Sequence, residues 1–526
     1  MDTSFEFLLG ALKKAKEQAE TKPEGELITV SETVSVAASV YETIRNTLEY
    51  DEEHLLRRNA IRRILNRRLG EVTSEVLAGD LMRELIWARY LPNKTVAETM
   101  IGTVAVVVEK YQALFACVDG STKEGQHKFE WLLDVASTEL EYTVVPPIAD
   151  EALASFAYAQ LKSRLSWSSP VIVEEDRDLQ LYIAVHRAVL KSNIATLRFR
   201  VLSLFYPEWT RMQAKSEEIN SICQSIPQTI ERIEQHLRHP GQDTLYMLVR
   251  RHAVVFHVIR DVSEEQGTGM TKMVAERNTL ALDGLIASAA GLRYDRFRVR
   301  LKNSVFRAVT FLFITKMMLA LLIEAPYERL VLKTTEITPL LVNIIFHPTL
   351  LGVIGLTARL PEAANTEAII KEAHAFLGIG EEIGFTYKLR RPWAQGMLGI
   401  IFNTMYAVVF FGMVFAISAI LHRFDFNSLS IVFFIFFLSL VTFFGLKIRN
   451  TRRELMVVET STGFFGTIGD ILFLPIVRSG RWIALRAPRI NVFIFFFDFI
   501  VEAPFKAAIS MVEGWLAFLK EKKEEI

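Results

Sequence analysis

Over the first 290 residues, apolar positions recur three or four apart between polar ones, the spacing of one side of a helix. Leu55, Leu56, Ile61, Ile64, Leu65 and Leu69 give the clearest run, with Asp51 ahead as a start and Gly70 behind as a stop. Similar runs follow at about 73–90, 95–117, 127–143, 150–165, 177–206, 208–237 and 243–263. Sustained two-residue alternation with turn dipeptides does not occur, so no sheet is expected. The 95–117 run is apolar through Val104, Val106, Val107 and Val108, yet Glu98, Glu109 and Lys110 interrupt it, and it reads as a buried core helix. Val145-Pro146-Pro147 and Ser166-Trp167-Ser168-Ser169-Pro170 cannot continue a helix. The first break suggests two helical subdomains, 1–145 and 146–292.

The pattern then changes. Four apolar runs, about 305–325, 338–357, 397–421 and 428–446, each approach the ~20 residues needed to cross a hydrocarbon core. They define a four-span membrane domain over 293–457, entered by a nearly continuous helical passage through 270–325. Charge gives the orientation. Arg293, Arg296, Arg298, Arg300, Lys302 and Arg307 precede the first run, Lys388, Arg390 and Arg391 the third, and Lys447, Arg449, Arg452 and Arg453 follow the fourth. The other two connections hold only Arg329 with Lys333, and Arg423. Basic residues at span ends favour the cytoplasmic side, so both termini and the whole helical part ahead of the spans are expected there. The second run carries Pro339, Asn343, His347, Pro348, Gly352 and Gly355, so a hairpin re-entering from the outer face competes with a full crossing. The charge pattern favours the crossing.

The last segment, 458–526, is read as lying at the membrane interface. Within 490–518, Asp498, Glu502, Lys506 and Glu513 fall within about 80° of one another on a helical wheel, against a phenylalanine-rich remainder. An in-plane amphipathic helix avoids burying two carboxylates and a lysine in lipid; a fifth crossing does not. The run Ile471–Val477, with Pro475, is expected to dip into the interface as well.

Composition alters little. The 526 residues are 51% hydrophobic and 23% charged with zero formal net charge, so bulk electrostatics predicts no nucleic-acid partner. Two cysteines, Cys117 and Cys223, form no disulfide framework or CxxC motif and read as buried thiols in a reducing compartment. The acidic start, with Lys13, Lys14 and Lys16 following its apolar run, is the reverse of a signal peptide.

The candidate sites are few. Lys316 sits mid-span, where a lysine costs about 2.5–3.5 kcal/mol. It is expected to face the bundle interior beside Glu324, His347, Asp498 or Glu502, either as a pair that fixes packing or as a charge on a transport pathway. Asn343 and His347-Pro348 are the polar positions of the second span; the proline frees a backbone carbonyl there, and a kink or a half-broken helix is expected. Arg296, Arg298, Arg300, Lys302 and Arg307 are an orientation signal or an anionic-lipid cluster, with Arg296, Arg300 and Arg307 along one helical side. Arg57-Arg58, Arg62-Arg63 and Arg67-Arg68 spread around their helix and are expected to pair with carboxylates on neighbouring helices. Glu124-Gly125-Gln126-His127 reads as a loop, and His252, His257 and Asp261 share no helical face well enough for a metal. P-loop, GxSxG and HExxH signatures are missing from the sequence. Gly378–Gly384 has one residue too many for a dinucleotide loop.

The expectation is therefore an all-α protein. It has a multi-helical cytoplasmic domain, a C-terminal four-span membrane domain and an interfacial amphipathic helix. No catalytic residue, cofactor or metal is expected. The partners expected are the bilayer with its anionic lipids, and a protein partner or further copies of the chain. The functional expectation is a non-catalytic, membrane-anchored scaffold that recruits partners; the alternative is an oligomeric channel or transporter using the polar residues of spans one and two.

Overall fold

In the computed structural model the described residues are 3–21, 25–32, 35, 55–214, 216–333, 337–356, 363–389, 397–458, 474–484 and 511. The expected amphipathic helix 490–518, with Asp498, Glu502 and Lys506, lies outside them. The chain divides into two compact units, one reaching Val249 and taking in Phe385–Tyr387, the other continuing from Arg250.

The first unit is helical because its apolar positions repeat at helical spacing and close on one another. Its helices are α1 (Thr3–Glu20), α2 (Leu56–Arg68), α3 (Ser74–Trp87), α4 (Thr99–Ala116), α5 (Lys123–Val144), α6 (Ile148–Lys162), α7 (Arg177–Ala188), α8 (Ile194–Phe205) and α9 (Glu217–Leu237). A shared core runs from Ile28 through Leu81, Val104, Leu133 and Val201 to Leu237, on both sides of Pro146-Pro147. Val104, Val107 and Val108 of α4 are buried in it.

Several local expectations need correction. The 177–206 run is two helices: Lys191 turns left-handed (φ 54°), and the Asn193 side chain accepts from the Thr196 N–H at 3.0 Å, starting α8 afresh. Residues 124–127 are not a loop; they form the first turn of α5, capped by Thr122, and Glu124 pairs with Lys128. A minimal sheet exists: β1 (Leu165–Trp167) pairs in parallel with β2 (Phe385–Tyr387), and Tyr387 donates to the Gly241 carbonyl at 3.2 Å. Cys117 and Cys223 are not separate buried thiols. They are joined as a disulfide across 106 residues, and Cys117 is exposed at the end of α4.

The arginine pairs of α2 find carboxylates on other helices. Arg57 meets Glu141, Arg62 meets Asp134 at 2.9 Å and Glu130, Arg67 meets Glu84, and Arg68 meets Asp80. Deeper in the core, His186 is enclosed and its Nδ1 has no hydrogen-bond partner among the described residues. Burial, and secondarily the Arg200 cation, push its pKa down to about 3. The unfolded ring, with its ordinary pKa near 6.5, therefore binds a proton that the folded ring refuses between about pH 6.5 and pH 3. The stability this gives is complete above pH 6.5 and drains as pH falls towards 3. His186→Phe is expected to remove a loss on the order of 3 kcal/mol between pH 7 and pH 4, read as flatter urea-unfolding midpoints than wild type over that range.

The second unit begins within α10 (Gln242–Gln266), followed by α11 (Thr268–Ala275) and the 41-residue α12 (Thr279–Leu319). The helical passage into the first span is thus continuous from Thr279, after a break where Arg277 adopts φ 50°. Beyond α12 the chain takes two wide, π-type turns, Ala320–Glu324 and Glu328–Leu332. Then come α13 (Ile337–Leu356), α14 (Ala363–Phe376), α15 (Met397–His422) and α16 (Ser428–Thr451). Four helical segments, Thr279–Leu332, Ile337–Leu356, Gly399–His422 and Ser428–Leu455, are long and apolar enough to cross a membrane.

Close approaches give their directions. Going back along α12 from Lys316 to Val305 corresponds to going forward along α13 from Asn343 to Gly355, so the two are antiparallel. A Cβ at Gly355 would lie 2.5 Å from a Val305 methyl, so only glycine lets the helices approach this closely there. His347 meets Phe434, and Ile354 meets Gly445 further along both helices, so α13 and α16 are parallel. Pro348 does not break α13, which runs unbroken from Ile337 to Leu356. Residues 474–484 form a helical segment whose Gly480 abuts the Ser439 backbone midway along α16; the start of the run Ile471–Val477, expected to dip into the interface, lies outside the described residues.

Outside the apolar stretch, α14 is tied to α10 and α12. His252 meets Glu372 at 2.8 Å, Phe256 stacks on Phe376, and His374 approaches Asp283 at 2.9 Å. Asp261 holds Arg293 at 2.6 Å. Asn365 donates to Tyr294 Oη and the Leu455 carbonyl and accepts from the Val457 N–H. The glycine-rich stretch ends α14: Gly378 adopts φ 73°, and the N–H groups of Ile379 and Gly380 close on the His374 carbonyl.

Candidate functional site

Along the apolar helices most large side chains point outward, among them Phe306, Phe311, Leu322, Ile400, Phe411, Phe415 and Val432. Five polar residues do the opposite. Lys316, Asn343 and His347 are each 0% exposed, with Glu324 and Ser430 at 1%. All are therefore covered by protein and none faces the surrounding medium. This follows from the cost of polar atoms in hydrocarbon, which favours turning them inward; Asn403 on α15 is an exception and is exposed.

The four residues the sequence singled out converge on one connected centre. Lys316 Nζ donates to Asn343 Oδ1 at 2.7 Å, and Asn343 Nδ2 donates to both oxygens of Glu324, at 3.0 and 2.8 Å. The asparagine amide thus bridges an ammonium and a carboxylate, with its acceptor end on the cation and its donor end on the anion. Ser430 Oγ reaches Glu324 Oε2 at 3.3 Å, bringing in α16. Lys316 Nζ also lies 4.1 Å from the centroid of the Phe437 ring, a cation–π contact that covers another side of the ammonium.

His347 sits one turn after Asn343. Its Nδ1 is 3.1 Å from the Asn343 carbonyl and its Nε2 is 2.9 Å from the Phe434 carbonyl, with Phe434 and Phe437 packed on its ring. A neutral imidazole carries one N–H and donates to one of these oxygens at a time. The ring is a clamp between α13 and α16.

Glu324 closes the first wide turn and Glu328 opens the second. Such turns displace a helix's side chains from their regular angles and occur often at functional positions. Glu328 is buried and accepts from Asn427 Nδ2 at 2.8 Å. Asn427 also caps α16, its Oδ1 accepting from the Ser430 N–H at 2.9 Å.

Lys316's direct partner is Asn343, not the carboxylate or imidazole expected; Glu324 is reached through the amide. Sequence reasoning missed Glu328, Asn427, Ser430 and Phe437. Glu328, one turn after Glu324, was the discoverable one, and Asn427 stands where a cap precedes an apolar run. The basic cluster lies elsewhere: Arg296, Arg298, Arg300, Lys302 and Arg307 are all exposed on α12. Among the described residues no group of three or more metal-ligating side chains occurs.

The chain matches no protein-family model, no curated protein and no solved structure.

Proposed function

We propose that this is a membrane-anchored interaction protein, whose helical N-terminal unit works by recruiting partners at the cytoplasmic face. The four apolar helices hold it in place, and their polar centre acts as a packing lock. The observation that supports this is the closure of that centre. Lys316, Asn343, Glu324 and Ser430 bond to one another, and their side chains are wholly covered. A charge on a solute pathway must meet the solute; a charge that pins helices need meet only its partners.

The test is gentle extraction of the tagged full-length protein, followed by sizing and mass spectrometry of what co-purifies. A reproducible stoichiometric protein partner supports recruitment. A homo-oligomer without such a partner overturns it and favours the second reading, an oligomeric channel or transporter. That reading has its own support in the two wide turns that present Glu324 and Glu328 inside the bundle.

The orientation rests on the basic clusters. The Cys117–Cys223 bond does not overrule them, because cysteines with Cα atoms 5.8 Å apart are in bonding reach in any oxidising medium, including that of a purification. With both cysteines replaced by serine, a single cysteine at exposed Ala364 on α14 is expected to stay unlabelled by an impermeant thiol reagent added outside intact cells. Labelling there would mean that the 358–396 connection lies outside and that the orientation is wrong.

A further inference from the structure

Of the six cations that precede the first apolar stretch, two have partners within the protein. Arg293 is held by Asp261, and Arg298 pairs with Asp295. Arg296, Arg300, Lys302 and Arg307 are exposed and have no ion-pair partner among the described residues. They lie on a single unbroken helix, α12, which continues into the apolar stretch.

Their placement is not uniform. At 100° per residue, Arg296, Arg300 and Arg307 fall within about 40° of one another, and exposed Asn303 lies beside them. The stripe extends about 16 Å along the axis. Tyr294, Phe297 and Val305, which carry the contacts to α13 and α14 or are buried, lie between about 80° and 160° from the middle of the stripe. The guanidinium stripe therefore points away from the unit's own mass. Its lower end, Arg307, is flanked by exposed Phe306 and, one turn on, exposed Phe311. An orientation signal requires only that cations be present near a span; it does not require three arginines to be aligned, unpaired and turned outward.

We propose that Arg296, Arg300 and Arg307 form a binding stripe for the acidic phosphodiester headgroups of anionic phospholipids in the leaflet that α12 enters. Charge complementarity and the continuity of the stripe with the apolar helix fix the occupant. A guanidinium fork binds phosphate oxygens in pairs, whereas a zwitterionic headgroup carries its own ammonium and gains less. The site does not depend on whether the spans anchor or transport.

The test uses the purified full-length protein equilibrated in mixed micelles of phosphatidylcholine and phosphatidylglycerol in equal amounts, with the retained lipid quantified by mass spectrometry. Wild type is expected to retain phosphatidylglycerol over phosphatidylcholine by roughly fivefold or more. The enrichment should fall towards unity as salt rises to about 0.5 M. Arg296→Gln/Arg300→Gln/Arg307→Gln should abolish it, and the triple lysine variant should keep most of it. Lys13→Gln/Lys14→Gln/Lys16→Gln, which removes the same charge from exposed positions of α1, should leave it unchanged. No enrichment in wild type, enrichment indifferent to salt, or equal loss in the α1 variant overturns the proposal. If the glutamine variant does not fold, the salt series, the lysine variant and the α1 variant decide between the same outcomes.

Discussion

Glu139→Leu is expected to lower the melting temperature of the N-terminal unit by roughly 6–20 °C, from a loss of about 3–5 kcal/mol. Glu139 is buried and accepts from three donors: Lys110 Nζ at 2.5 Å, Tyr111 Oη at 2.6 Å and Trp209 Nε1 at 2.9 Å. Lys110 is 1% exposed, donates also to the Trp209 carbonyl at 2.9 Å, and lies over the Tyr111 and Trp209 rings. Leucine at 139 leaves a buried ammonium, a phenol and an indole N–H without their shared acceptor. Burial already holds the Lys110 pKa below the ordinary lysine range, opposed by Glu139. Without Glu139 the lysine sheds its proton more readily, which caps the cost without cancelling it.

The size of the effect distinguishes an ion pair that stabilises from one whose halves merely need each other. Taking two charges out of water costs several kcal/mol each, and their attraction returns a similar amount. Lys110→Met/Glu139→Leu is therefore expected to be milder than Glu139→Leu alone, and Tyr111→Phe to cost only about 1 kcal/mol. Differential scanning fluorimetry of the full-length variants in one detergent checks the order. A double variant as unstable as the single would mean that the pair contributes shape or packing that hydrophobic residues cannot replace.

Periodicity made the helices readable, because apolar spacing is a local property of the chain and the core of Leu81, Leu133 and Val201 repeats it. The intramembrane residues were readable for a different reason. A lysine in an apolar run must turn inward and find a partner, so Lys316 marked a buried site before any contact was known. Its partner was not readable: an amide that bridges cation and anion is as satisfactory as a direct pair, and Asn343 carries no charge to advertise it. The pairing of Cys117 with Cys223 and of β1 with β2 joins residues over 100 apart in the chain, a separation no local pattern reports. The break at Lys191 escaped because a left-handed residue other than glycine has little sequence signature. The wide turns after Leu319 escaped because apolar composition is the same in an α and a π turn. Pro348 looked like a helix breaker, yet α13 runs through it. In a membrane helix the freed carbonyl is tolerated where neighbouring groups re-satisfy it.

Lys316→Leu is expected to reduce the yield of monodisperse protein several-fold and to destabilise the membrane unit by about 3 kcal/mol, with Lys316→Leu/Glu324→Gln recovering most of both. Two magnitudes decide this. A single interhelical hydrogen bond in a membrane protein contributes only about 0.6 kcal/mol on average, so losing the 2.7 Å contact to Asn343 is minor by itself. The larger effect is the carboxylate left behind. Glu324 keeps its bonds from Asn343 and Ser430 but loses the cation that balanced its charge in a covered, low-dielectric setting. Glutamine at 324 removes that charge, can still accept from Asn343 through its one side-chain oxygen, and restores neutrality without the lysine. Asn343→Leu should be worse than Lys316→Leu, because it breaks both halves of the bridge at once and leaves two opposite charges without the amide between them. Size-exclusion profiles and detergent melting curves of the four proteins measure this order directly. The same set separates the two functional readings. A packing lock predicts that the double variant, once it assembles, retains every function of the wild type, including the capture of its partner. A transport pathway predicts a well-assembled double variant with its flux abolished, because the charges themselves would carry the function.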